Sequence, residues 1–176
     1  MTRGRVWAAV FALAVIAAFA VKLYVVTHSN GTLDVAYCFD YLNQIRHCGA
    51  CIYASQFQLP PFMIHGLRGL GALADWTGWR LEFWVRFPNI LADVAAAYLM
   101  WRIVARYSAS LFLMVLAPAS IMISGYHGDT DPFMMFLVLL AIDWARVAPV
   151  WAAGAALGMA INIKVAPVIL IPASAR

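Results

Sequence analysis

Residues 6–26 read VWAAVFALAVIAAFAVKLYVV, an apolar run interrupted by a single charge, Lys22. At 1.5 Å per residue a helix of that length rises about 30 Å, which matches the hydrocarbon core of a bilayer. The run is therefore expected to be a transmembrane helix. Its apolar core is longer than the h-region of a secretory signal, and Ala17-Ala18-Phe19-Ala20 is followed by more apolar sequence, so retention rather than cleavage is expected. The rest of the chain agrees: of 176 residues, 65% are hydrophobic and 11% charged, with a mean hydropathy of +0.82. Soluble domains carry about 25% charged residues, and this chain has too few to cover a globule. Disorder, a collagen repeat and a disulfide-stapled secreted scaffold are excluded on the same ground. The net charge is +4, but the twelve Lys and Arg residues form no run, which argues against a nucleic-acid partner.

Working outward from the first run, further apolar stretches extend from Phe83 to Val104, Ala109 to Ser124, Pro132 to Ile142 and Val150 to Pro172. The expected fold is all-α: a single polytopic membrane module over residues 1–176 with five spans. The third and fourth are short, which a membrane tolerates where helix ends are enclosed by protein. Arg3 and Arg5, Arg102 and Arg106, and Arg146 mark three cytoplasmic segments by the positive-inside rule. Residues 28–82 and the connector Tyr126 to Asp131 then face the external side, with the N-terminus cytoplasmic. Six of the eight acidic residues lie there, Asp93 and Asp143 being the exceptions, so carboxylate chemistry belongs outside. Ten arginines against two lysines, with abundant alanine, fit a bacterial plasma membrane.

The long external loop has helical periodicity. Val35, Cys38, Leu42 and Ile45 share one face, and a second helix is expected to begin at Pro61, with Met63, Leu67, Leu70 and Ala74 apolar. Both are expected to lie in the membrane interface.

Polar residues are densest in Ser124-Gly125-Tyr126-His127-Gly128-Asp129-Thr130-Asp131-Pro132. Asp131 before Pro132 reads equally as a helix N-cap and as a site residue. His127 and Asp129 have no capping duty, and the Asp129, Asp131 spacing could chelate a divalent cation, although two carboxylates are a sparse ligand set. Arg86, Asn89 and Asp93 fall on one face of the second span. Asp93 lies about 16 Å in from Glu82, where a carboxylate costs about 2.5–3.5 kcal/mol unless it faces protein or a hydrated cavity. Lys164, in the fifth span beside Asn162, reads either as snorkelling to the interface or as projecting with Arg86 into an outward-facing phosphate site, Asp93 neutralising one of the two. Asp34 opens the first external helix and serves as a cap or as a general base. Cys48-Gly49-Ala50-Cys51 has redox spacing without the strand and helix context of a thioredoxin, and zinc would need further ligands. A small-loop disulfide, with Cys38 left as a buried thiol, is the remaining reading.

Leu33-Asp34-Val35, Gly49-Ala50-Cys51-Ile52-Tyr53, Leu59-Pro60-Pro61-Phe62, Arg86-Phe87-Pro88-Asn89 with Asp93, Pro118 to Pro132, and Gly158 to Pro167 including Asn162-Ile163-Lys164 together resemble, in content and order, the GT-C superfamily of polyprenyl-phosphate-sugar glycosyltransferases. The resemblance covers the chain from about residue 30 onward. It implies transfer of a hexose such as mannose from a polyprenyl-phosphate donor to a lipid or glycan acceptor on the external face. It further implies that Asp34 is the catalytic carboxylate, that Arg86 and Lys164 hold the lipid phosphate, and that His127, Asp129, Asp131 and Asp93 line the same cavity. A divalent metal is allowed and not required, and no other cofactor is implied. Members of the family have more spans, so the chain is expected to be the N-terminal part of a longer protein. The alternative to an enzyme is a transporter or membrane-assembly subunit in which Arg86, Asp93 and Lys164 line a pathway or lock helices together.

Overall fold

The structure, a computed structural model, describes residues 3–48, 60–103 and 117–170, and every regular element among them is helical. In chain order these are α1 (Arg3–His28), α2 (Leu33–Cys48), α3 (Pro61–Thr77), α4 (Leu81–Ile103) and α5 (Pro118–Ile121), which runs directly into a π-helical turn, Met122–His127. Then come α6 (Asp131–Val147), α7 (Val150–Ile163) and a 3₁₀ turn, Ala166–Leu170. The all-α expectation holds.

Local chemistry explains the boundaries. Pro61 occupies the first turn of α3, where its missing N–H has no partner to lose, and Gly78 closes the helix in the left-handed conformation (φ 70°) with its N–H on the carbonyl of Ala74. The α2 helix opens on the carbonyl of Thr32, which accepts from the N–H groups of Val35 and Ala36 at 3.1 and 3.2 Å. Both helices therefore begin where the sequence placed them.

Four packing centres hold the helices together. Leu42 and Ile45 of α2 meet Ile64 and Leu67 of α3 and Leu81 and Val85 of α4. Phe11 and Ala18 of α1 pack on Ala97 of α4, with Phe11 stacked on Trp101. Leu137 and Val138 of α6 meet Ala160 and Ile163 of α7, while Leu139 of α6 reaches Ala96 and Leu99 of α4. On α7 the buried face is Ala152, Ala156 and Ala160, small side chains that let two backbones approach closely. At the ends of α4 and α6 remote from α2, Arg102 pairs with Asp143 at 3.3 Å.

By length and composition, one helix among the described residues, Arg5–His28, can cross a membrane. It leaves Leu13, Ile16 and Tyr24 exposed on its outer side. Of the other expected spans, the second is a continuous helix, α4, over nearly the expected bounds, and the remaining three differ from the hydropathy reading. The helix expected over Pro132 to Ile142 extends to Val147. Half of the third stretch lies outside the described residues, and its described half continues as the π-helical turn to His127. The fifth stretch is not one helix: α7 stops at Ile163 and Lys164 is extended (φ −142°, ψ 141°). Pro167 has no N–H for the carbonyl of Ile163, so an α-helix could not continue unbroken through it, and the chain resumes as the 3₁₀ turn from Ala166. The segments Gly49 to Tyr53 and Leu59, Arg106 and Pro172 lie outside the described residues.

Candidate functional site

A cavity of about 520 Å³ opens between α2, α3, the first turns of α4 and the connector Gly128 to Thr130. Its walls are mostly apolar, with Phe62, Met63 and Leu67 on one side and Val85, Pro88 and Phe133 on the other. Asp34 and Asp129 both border it. These two carboxylates, 95 residues apart by sequence position, were expected on the same face, and the fold brings them to one cavity.

Asp34 belongs to the first turn of α2. Its Oδ2 is 3.0 Å from Nδ1 of His127, the last residue of the π-helical turn. The loop that carries the histidine is fixed from α2's side, because the Thr32 hydroxyl donates to the carbonyl of His127 at 3.0 Å. Gly128 then reverses the chain at φ 78°. A Cβ on Gly128 would stand 2.8 Å from Val35 Cγ2 and 3.1 Å from Arg86 Cγ, so glycine is what lets this turn lie against α2 and α4. Asn89, nearly buried on α4, donates to the carbonyl of Gly128 at 3.3 Å and completes the turn's attachment.

Lys164 owes its reach to the break after α7. Its ammonium donates to Asp129 Oδ1 at 3.2 Å and to Asp131 Oδ1, bridging the two carboxylates of the connector. Burial acts to raise the Asp129 carboxyl, but the hydrogen bond and charge of Lys164, with the backbone N–H groups of Thr130 and Asp131, outweigh it and hold the group below the usual carboxylate range. Asp131 is not the cap. Thr130 takes the N-cap position of α6 without a side-chain capping bond, Asp131 and Pro132 fill the first turn, and the Asp131 carboxylate goes to Lys164 instead. Asn162 is exposed.

Arg86 does not join Lys164 in a phosphate site. It is fully buried, and all five of its N–H donors are taken. Nε donates to the carbonyl of Glu82 at 2.8 Å, Nη1 to Ser29 Oγ and the carbonyl of Gly125 at 2.9 and 3.1 Å, and Nη2 to the carbonyls of Val26 and Ser29 at 3.0 and 2.7 Å. A guanidinium has five donors, so none is left for a ligand. Its task is to clasp the end of α1, the π-helical turn and α4 together. Asp93 also lies elsewhere than expected. It neutralises neither Arg86 nor Lys164, and instead pairs with the Lys22 ammonium and accepts from the Ser120 hydroxyl at 2.7 Å. Lys22, read from sequence only as an interruption, is 1% exposed and also donates to Ser120 Oγ at 2.8 Å. A charge within an otherwise apolar run was the available signal.

Cys38 borders the cavity one turn from Asp34 and donates to the Asp34 carbonyl at 3.4 Å. Burial, reinforced by the Asp34 charge, pushes this thiol up to about 11, so it is protonated at neutral pH. Cys48 is disulfide-bonded and Cys38 is free, which fits the disulfide reading of the Cys48 motif; Cys51 lies outside the described residues. Among the described residues no three His, Cys, Asp or Glu side chains converge as a metal site, and Asp129 and Asp131 are joined by an ammonium.

No protein-family model matches the chain, and no curated protein or solved structure is detectably similar to it.

Proposed function

We propose that this chain is a multi-pass membrane module of a GT-C-type glycosyltransferase, acting on the external face of a bacterial plasma membrane. The donor is a sugar, a hexose such as mannose, carried on a polyprenyl phosphate, and the acceptor is a lipid or glycan hydroxyl. The observation that carries the reading is the cavity in which an apolar wall meets two carboxylates, Asp34 and Asp129. Apolar walls suit a lipid-linked substrate, and a carboxylate at the rim suits an acceptor hydroxyl that must lose its proton.

In the proposed reaction the acceptor O–H bond breaks and Asp34 takes the proton. The acceptor oxygen bonds to the anomeric carbon, and the carbon–oxygen bond to phosphate breaks, its electron pair leaving with the phosphate. A developing phosphate charge calls for a cation. With Arg86 fully engaged, Lys164 is the candidate, and it must then exchange a carboxylate for the phosphate. The Lys22 to Asp93 contact and the Arg86 clasp favour the helix-locking part of the alternative, a membrane-assembly subunit, but a lock needs no cavity edged by acids.

The test is transfer of radiolabelled sugar from polyprenyl-phosphate sugars in membranes containing the protein, wild type against Asp34→Asn. Transfer by wild type, reduced at least about 100-fold in the variant, supports the reading. Equal transfer by both removes Asp34 from the mechanism, and no transfer with any donor favours the assembly subunit.

A further inference from the structure

The pairing of His127 with Asp34 has no part in the scheme above, yet it defines which oxygen of the carboxylate is available. Oδ2 lies 3.0 Å from Nδ1 of His127, which is also 3.5 Å from Thr32 Oγ1, and among the described residues no hydrogen bond reaches Oδ1. The ring is held by main-chain geometry, since Thr32 Oγ1 donates to the His127 carbonyl and Gly128 fixes the chain beyond it. Both partners remain in contact with solvent, at 46% and 58% exposure for His127 and Asp34. Without a partner a carboxylate on an exposed first turn would sample several rotamers.

We propose that His127 is the positioning residue for Asp34: its Nδ1–H donates to Oδ2, fixing the carboxylate so that Oδ1 is the oxygen offered to a hydroxyl in the cavity. His127 touches no reacting atom in this role. The hydrogen bond also selects the tautomer, because Nδ1 must carry a proton to donate. The donor is short-range and directional, so a side chain that places an N–H where Nδ1 stands can replace it. Asparagine does so, whereas glutamine carries its amide out towards the position of Nε2. The catalytic consequence rests on the glycosyltransferase reading; the pairing itself does not.

Two measurements on the full chain in lipid nanodiscs separate these. The first is ¹⁵N NMR of the His127 ring, assigned by its loss in His127→Asn. The expected result is the Nδ1–H tautomer in wild type and its loss in Asp34→Ala, while a ring that stays Nε2–H with Asp34 present overturns the pairing. The second is sugar transfer. His127→Ala is expected to lower kcat about 100-fold with KM unchanged, as misplacing a reacting group does, and His127→Asn but not His127→Gln should restore most of it. If wild type transfers sugar and His127→Ala matches it, or Gln rescues as well as Asn, the positioning role is overturned. If wild type transfers nothing, the glycosyltransferase reading and the kinetic role fall together, while the tautomer still decides the pairing.

Discussion

Gly128 carries a positive φ of 78°, and the space its Cβ would need is already occupied by Val35 and Arg86. Gly69, on the exposed side of α3, has nothing within 4 Å of the same position. Alanine at the two sites should therefore act in opposite directions. Gly128→Ala is expected to destabilise by about 2–5 kcal/mol, from the left-handed backbone and the overlap together. Gly69→Ala should stabilise by about 0.5–1 kcal/mol through helix propensity. Thermal or denaturant unfolding in detergent measures both. At this scale the sequence was informative at the connector, where Asp34, His127 and Asp129 were singled out and are brought together, and it missed the partner of Asp93, which is Lys22. It failed at Arg86, whose acceptors are four main-chain carbonyls and one serine hydroxyl. Main-chain carbonyls are common to every residue, so no pattern of residue types announces them.

The ion pair between Lys22 of α1 and Asp93 of α4, joined by Ser120 of α5, links three elements at a partly buried point. Asp93→Leu strands the buried Lys22 ammonium and should destabilise by about 3–5 kcal/mol, and Lys22→Met by less, because the Asp93 side chain is 20% exposed. The double variant, having no charge to strand, should recover most of that loss, as a double-mutant cycle of unfolding free energies would register. A different dependence holds at the break after α7, where Lys164 bridges Asp129 and Asp131. The Asp129 carboxyl titrates below its usual range in the folded chain. Its stabilising contribution is therefore complete above the unfolded value of about 3.9, and is lost as pH falls through the lower folded value. Below about pH 4 the wild type should lose thermal stability more steeply than Lys164→Met, in which that partner is absent; parallel pH profiles would refute the bridge. Elements were legible where local chemistry marks an end, as at Pro61 and Gly78 of α3. The fifth stretch misled because hydropathy counts Val165, Pro167 and Ile169 as continuation, whereas Pro167 ends helical bonding three residues earlier.

Across the whole molecule, the acidic cavity and the Arg102 to Asp143 pair lie towards opposite ends of α4. The proposed topology puts the first outside and the second at the cytoplasmic face. In a Cys38→Ser background, a cysteine at exposed Trp76 of α3 should react with a membrane-impermeant maleimide in intact cells. One at equally exposed Val150, at the start of α7, should react only after permeabilisation. The reverse pattern would invert the orientation. The sidedness expected above rests on the order of charges along the chain and awaits that labelling, while lateral packing depends on which faces meet and could not be read from the sequence. The Lys22 to Asp93 pair also dictates a schedule for synthesis. Lys22 is made 71 residues before Asp93 and 98 before Ser120. At 5–20 residues per second its counter-ion arrives roughly 4–14 s later. For that interval the first helix carries an ammonium with no internal partner, so whatever receives the nascent chain must keep that charge solvated until α4, and then α5, can enclose it.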